Sequence, residues 1–180
     1  MRVVAIVGMT GSGKSEVARL FEKHGFTIIR FGDVTDEEVK KKGLELNEEN
    51  ERHVREQLRK EQGMDAYAKL NLPRIDTAMK HTDAVIDGLY SWEEYTFLKG
   101  YYNENLCLVA VWASPTTRYA RLTGRADRRL TVEEAARRDA AEIENLNKGG
   151  PIAMADFAII NESSLPDLRK QTERIIAEIG

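Results

Sequence analysis

Cysteine is almost missing from this chain. A lone Cys107 excludes an intrachain disulfide and argues against a thiolate zinc site. It lies within the apolar run Leu106–Trp112, where a core role is expected. No apolar stretch approaches the roughly 20 residues that span a bilayer. The N-terminus enters a strand pattern at once, without a charged region and cleavable apolar segment, so a cytoplasmic protein with no membrane contact is expected. Positive charge is not in excess either. The 27 Lys and Arg face 30 Asp and Glu, a net charge of −3 that excludes the basic footprint of a nucleic-acid binder. Prolines number four, and no linker, repeat or low-complexity segment divides the 180 residues, so one domain spanning residues 1–180 is expected.

What is present is an alternation of short apolar runs and helical patterns. Residues 2–7, 26–29, 84–86, 106–112 and 157–160 read as strands. Helical spacing over residues 15–23 stops at Gly25. A charged helical region over about 35–80 should break near Gly43, Gly63 and Pro73. A short helix is expected over residues 92–98, and Ser114-Pro115 should open another. Thr131 to Glu134 fits a capping box that starts a helix running to about Asn147, and Ser164 should cap the last one. Five apolar strands separated by helices indicate an α/β fold, a parallel sheet covered on both faces. Ligands of such sheets bind at the carboxyl ends of the strands, and Gly8, Asp33, Asp87 and Asn161 all fall there.

The segment Gly8-Met9-Thr10-Gly11-Ser12-Gly13-Lys14-Ser15 sits between a predicted strand and a predicted helix. Its Gly-x4-Gly-Lys-Ser spacing is that of a phosphate-binding P-loop. Glycines let successive backbone N–H groups curl around one anion, and the helix N-terminus adds its positive end. Gly8, Thr10, Gly11, Ser12, Gly13, Lys14, Ser15 and Glu16 are therefore expected to hold ATP. Lys14 would reach the β- and γ-phosphates, and the Ser15 hydroxyl would bind Mg²⁺.

Three classes share this loop. Asn147-Lys148-Gly149-Gly150 begins the Asn-Lys-x-Asp motif of guanine-nucleotide switches, but it lacks the aspartate and follows no strand. A motor ATPase usually has a second acid beside the strand-end aspartate, where this chain has Gly88. Kinases of the nucleoside monophosphate type instead need a mobile arginine-rich lid that excludes water. Arg118, Arg121, Arg125, Arg128, Arg129, Arg137 and Arg138 crowd one span of a net acidic chain, which suggests a phosphate-facing surface.

Gly124-Arg125-Ala126-Asp127 followed by Arg137-Arg138 resembles the lid of adenylate kinases. Phe31-Gly32-Asp33 and Ile86-Asp87-Gly88 resemble the Gly-Asp and Asp-Gly pairs that follow their second and third strands. Nearly the whole chain, including Ala155-Asp156-Phe157-Ala158-Ile159-Ile160-Asn161-Glu162, looks like small archaeal-type adenylate-kinase-related proteins. From Thr131 through Asn161 it is also similar to dephospho-coenzyme A kinases. The resemblance implies a P-loop NTPase fold, a five-stranded parallel sheet in the order 2-3-1-4-5. It also implies a helical acceptor region at about 35–80, a lid at about 124–131, and Asn161 to Ser163 beside the adenine ring.

Two departures bear on the acceptor. Where the related kinases grip a monophosphate with arginine, this chain has Asp36 and Tyr90, so AMP should be a poor acceptor unless Arg52, Arg55, Arg59 or Arg74 substitutes. The expected chemistry is in-line transfer from ATP. Asp87 would bind Mg²⁺ through water, Arg125 and Arg138 would neutralise charge on the transferred group, and Asp33 would orient or deprotonate a hydroxyl acceptor. The acceptor is expected to be a nucleotide or nucleotide-like small molecule. Dephospho-coenzyme A, or an ATP-binding regulator without an acceptor, remains open, as does the oligomeric state.

Overall fold

A computed structural model of the chain describes residues 1–126 and 129–180. The expected lid motif therefore lies partly outside the described residues, at Asp127 and Arg128.

Strand β1 (Val3–Val7) is wholly buried, because it runs down the middle of the sheet. Its neighbours are β3 (Ala84–Asp87) and β4 (Leu106–Trp112), with β2 (Thr27–Arg30) and β5 (Phe157–Ile160) at the edges. All pairings are parallel and the order is β2-β3-β1-β4-β5. Side chains alternate across a strand, so β1 feeds two cores. Val3, Ala5 and Val7 pack with Phe31, Val54, Tyr67, Ile75 and Leu98 on one face. Val4 and Ile6 pack with Val17, Phe21, Ile159, Leu168 and Ile175 on the other.

The second face is covered by α1 (Lys14–Lys23) and α9 (Leu165–Ile179), the latter capped by Ser164 as expected. The first is covered by α2 (Asp33–Lys41), α3 (Glu48–Gln62), α4 (Ala66–Ala78) and α5 (Trp92–Tyr102), which reaches four residues beyond the expected end. Breaks fall at Gly43 and Gly63, with φ of 68° and 94°. Pro73 makes no break: it lies inside α4. An interior proline costs about 3 kcal/mol or more. Wholly buried Tyr67 and Ile75 anchor α4 on either side of it, and that packing outweighs the loss.

Helix α6 (Pro115–Thr123) starts at the Ser114 cap, and α7 (Val132–Glu144) starts at the Thr131–Glu134 capping box. The helix expected to continue to Asn147 ends early. Asn147 takes φ 50°, in the left-handed region, and a separate short α8 (Gly149–Ala153) follows. No helix among the described residues is long and apolar enough to cross a membrane.

Candidate functional site

The loop after β1 is shaped by close approaches that only glycine allows. A Cβ on Gly8 would sit 2.3 Å from the Val111 carbonyl oxygen, and one on Gly13 would sit 2.3 Å from Asn161 Nδ2. No side chain caps α1; Glu16 N donates back to Gly13 O at 3.1 Å, which leaves the N–H groups of Lys14 and Ser15 at the helix start to meet an anion. The Ser12 hydroxyl is fully buried with no hydrogen-bond partner among the described residues. An uncapped helix start and an orphaned buried hydroxyl on one loop fit a bound phosphate.

The loop is braced from outside. Asn161 Nδ2 donates to Ser12 O at 2.8 Å, and Arg121 Nη2 donates to Asn161 O at 2.8 Å. Asn161, predicted beside the adenine, thus holds the loop with its amide. Arg118 is buried; its Nη1 donates to Thr10 O at 3.0 Å while the guanidinium grips Asp139 at 2.8 and 2.6 Å. Two of the seven clustered arginines, Arg118 and Arg121, are therefore struts for the loop rather than parts of a phosphate-facing surface. Arg125 is exposed, and Arg128 lies outside the described residues.

Lys14 rests with its ammonium donating to Met9 O at 3.1 Å. Burial and the neighbouring Lys148 pull its pKa down to about 7, so this group gains from a nearby anion. Glu142 of α7 reaches into the same place. It accepts from Thr10 Oγ1 at 2.5 Å and from Lys148 Nζ at 2.9 Å, and Arg138 Nε lies 3.5 Å away. Burial would raise its carboxyl, but the Lys148 and Lys14 ammoniums outweigh that and hold it below the usual range. Sequence reasoning missed both Glu142 and Lys148. They are six residues apart across a turn and fit no period, and the Asn147-Lys148 dipeptide was the sole signal.

Asp87 ends β3, and its charge is felt at both Lys14 and Tyr90. Ser15 opens the first turn of α1 on the exposed side. One hydroxyl and one carboxylate suit Mg²⁺, which keeps several waters and takes few protein ligands. No cluster of three or more His, Cys, Asp or Glu that could cage a metal occurs among the described residues.

The side expected to face an acceptor is built from β2, α3, α4 and the segment after β3. Asp33 starts α2; burial raises its pKa, and Arg30 at 3.9 Å opposes that. Tyr90 lies across the strand ends, its hydroxyl 3.0 Å from where a Gly88 Cβ would be and 3.4 Å from that of Gly32. Arg59 stacks over Tyr67 and Tyr90, at 5.1 and 5.9 Å from the ring centroids. Its Nε is buried with no hydrogen-bond partner among the described residues. Of the other candidate arginines, Arg55 pairs with Glu48 at 2.8 Å, Arg74 pairs with Glu37 at 2.6 Å, and Arg52 is exposed.

Behind this wall, Glu94 is fully buried and accepts from the backbone N–H groups of Tyr90 and Ser91 at 2.7 and 3.3 Å. Burial pushes its carboxyl up to about 7, against the pull of Arg59. A raised carboxyl pKa means the folded state binds more protons between about 4.5 and 7, so stability from this group falls as pH rises through that window. Glu94→Gln keeps a capping-box side chain and removes the charge. Its unfolding free energy should exceed the parent's by up to about 3 kcal/mol at pH 8, and the two should converge near pH 4.5. Urea unfolding at both pH values checks this, and equal pH slopes would refute it.

The architecture has close counterparts among solved structures. TT1252 from Thermus thermophilus superposes with a TM-score of 0.67 at 19% identity, covering 99% of this chain and 98% of that one. A Sinorhizobium meliloti gluconokinase gives 0.62 at 14% identity over 99% and 93%, and an Acinetobacter baumannii shikimate kinase gives 0.57 at 17% over 99% and 93%. The fold is that of P-loop kinases. A family model described as an AAA domain matches residues 4–145. UPF0200 protein TK1334 from Thermococcus kodakarensis is 39% identical over 98% of this chain and 97% of its own length. UPF0200 protein MJ1399 from Methanocaldococcus jannaschii is 36% identical over 99% and 91%. With its strand order, its phosphate loop and this end-to-end similarity, the chain belongs to the UPF0200 family of AAA-domain proteins.

Proposed function

We propose that the protein moves the terminal phosphoryl group of ATP to a small, nucleotide-like acceptor. The observation that carries this reading is the register of three strands. Asp87 pairs with Ile6, two residues before the phosphate loop, and with Arg30, whose Nε lies 3.9 Å from Asp33 Oδ1. A donor loop and a tyrosine–arginine wall thus flank one strand end. A hydrolase needs only the first.

Lys14 and the loop amides would hold the phosphates, Ser15 would bind Mg²⁺ directly, and Asp87 would bind it through water. When bound, Mg²⁺ spreads the negative charge of the β- and γ-phosphates. Arg138, with Arg125, would neutralise charge building on the transferred group. The bond from the terminal phosphorus to ADP breaks as a bond to the acceptor oxygen forms. A hydroxyl acceptor gives its proton to Asp33; a phosphate acceptor needs no base.

Asp36 and Tyr90 replace the arginines of adenylate-kinase-related proteins, and Arg59 takes over their task from the neighbouring helix. That favours an acceptor with an anionic group near Arg59, whether a nucleoside monophosphate or a molecule like dephospho-coenzyme A. The AAA-domain match supports a second reading, ATP hydrolysis without an acceptor. A coupled assay of ADP formation separates them. Stimulation by a nucleoside monophosphate or dephospho-coenzyme A supports transfer, and one rate with every candidate supports hydrolysis.

A further inference from the structure

We propose that Lys148 is a second phosphate-contacting lysine, set where the terminal phosphate crosses from loop to acceptor, and that Glu142 is the residue that positions it. This rests on the transfer reading above and adds a residue to it.

Lys148 is only 1% exposed, and a buried ammonium is costly unless something compensates. Two contacts tie it to Glu142: the backbone N–H to the Glu142 carbonyl at 3.2 Å, and Nζ to Oε2 at 2.9 Å. The turn that delivers it is fixed from outside. Asn147 takes the left-handed conformation, which asparagine tolerates better than most residues. Trp92 N donates to Leu146 O at 3.2 Å, and a Cβ on Gly150 would fall 2.5 Å from the Trp92 ring. Lys148 is therefore held rigidly.

Its surroundings exceed what a structural ion pair needs. The ammonium lies 5.6 Å from the centre of the Tyr90 ring, which belongs to the acceptor wall. It also acts on Lys14, which belongs to the donor loop. A group within reach of both walls lies between them. Around Lys14, the cations Lys148 and Arg138 face the carboxylates Glu142 and Asp87. Three basic side chains thus face two acids, with Lys148 buried and the Arg138 side chain 40% exposed. Glu142 also accepts from Thr10 at the crest of the phosphate loop. Its carboxylate thus serves as an internal anion, keeping Lys148 and Arg138 extended toward the place a terminal phosphate would occupy.

The decisive comparison is Lys148→Met made in a Glu142→Gln background. There Lys148 has lost its ion pair, so a purely structural lysine would be better replaced. Methionine should therefore raise the denaturation midpoint. The β,γ-imido analogue of ATP should nonetheless bind about tenfold more weakly or worse, while ADP changes by less than about threefold. Calorimetry with both ligands gives the ratio. An unchanged analogue-to-ADP ratio would overturn the assignment of Lys148. Lysine side-chain NMR on the unaltered protein, with the Lys148 signal assigned by Lys148→Arg, decides the matter even if Glu142→Gln fails to fold. That signal should shift with the analogue and barely move with ADP; equal shifts would overturn the proposal. Failure of the parent to bind either nucleotide would instead overturn the transfer reading, and this proposal with it.

Discussion

Lys14→Ala is expected to lower ADP formation by at least about 10²–10³-fold, the range for removing one preorganised charge from a transition state. The folded state should survive. Lys14 is partly buried, its ammonium is destabilised by burial and by Lys148, and it donates a hydrogen bond to the Met9 carbonyl. Removing it relieves a like-charge contact and leaves the cores on the two faces of the sheet untouched. Circular dichroism and urea unfolding should therefore match the parent while turnover disappears. Full activity in a folded Lys14→Ala protein would remove the phosphate loop from the chemistry.

The second large effect concerns the acceptor. Arg59→Ala should raise the KM for an anionic acceptor about 10- to 100-fold, because a charge-assisted contact to an ionised group contributes roughly 1.5–3 kcal/mol. Nucleotide affinity should hold, since Arg59 stacks on Tyr67 and Tyr90, away from the phosphate loop. Arg55→Ala and Arg74→Ala serve as controls, because Arg55 already pairs with Glu48 and Glu51, and Arg74 with Glu37. The pair Asp36→Arg and Tyr90→Arg is expected to act in the opposite direction on AMP. Titrating AMP at fixed ATP across the set reads every arm. An Arg59→Ala protein with an unchanged acceptor KM would return the acceptor to another surface.

The contrast between what was legible and what was not follows physical range. Strands β1, β3 and β4 announce themselves by short apolar runs, because a strand buried on both faces has no other composition open to it, and the edge strands β2 and β5 keep apolar runs although they are partly exposed. The capping boxes at Ser91 and Thr131 and the serine caps at Ser114 and Ser164 obey rules within four residues, although Ser91 was not singled out. The phosphate loop was legible for the same reason. Pro73 misled, because local propensity counts the missing N–H and not the burial of Tyr67 and Ile75. The arginine cluster misled in part. Composition marks seven charges near one another, but only tertiary contacts show that Arg118 serves Asp139 and Thr10, and Arg121 serves Asn161. Glu142 and Lys148 lay beyond reach altogether, since their meaning depends on a turn at Asn147 and on α7 folding back over the loop.

The fate of the terminal phosphate tests the central claim most directly. ATP radiolabelled at that position is incubated with the protein and Mg²⁺, with and without nucleosides, nucleoside monophosphates and dephospho-coenzyme A, and the products are separated. Transfer predicts label on one acceptor class in amounts equal to the ADP formed, with little inorganic phosphate. Label released as inorganic phosphate at the same rate with every candidate and with none would contradict it.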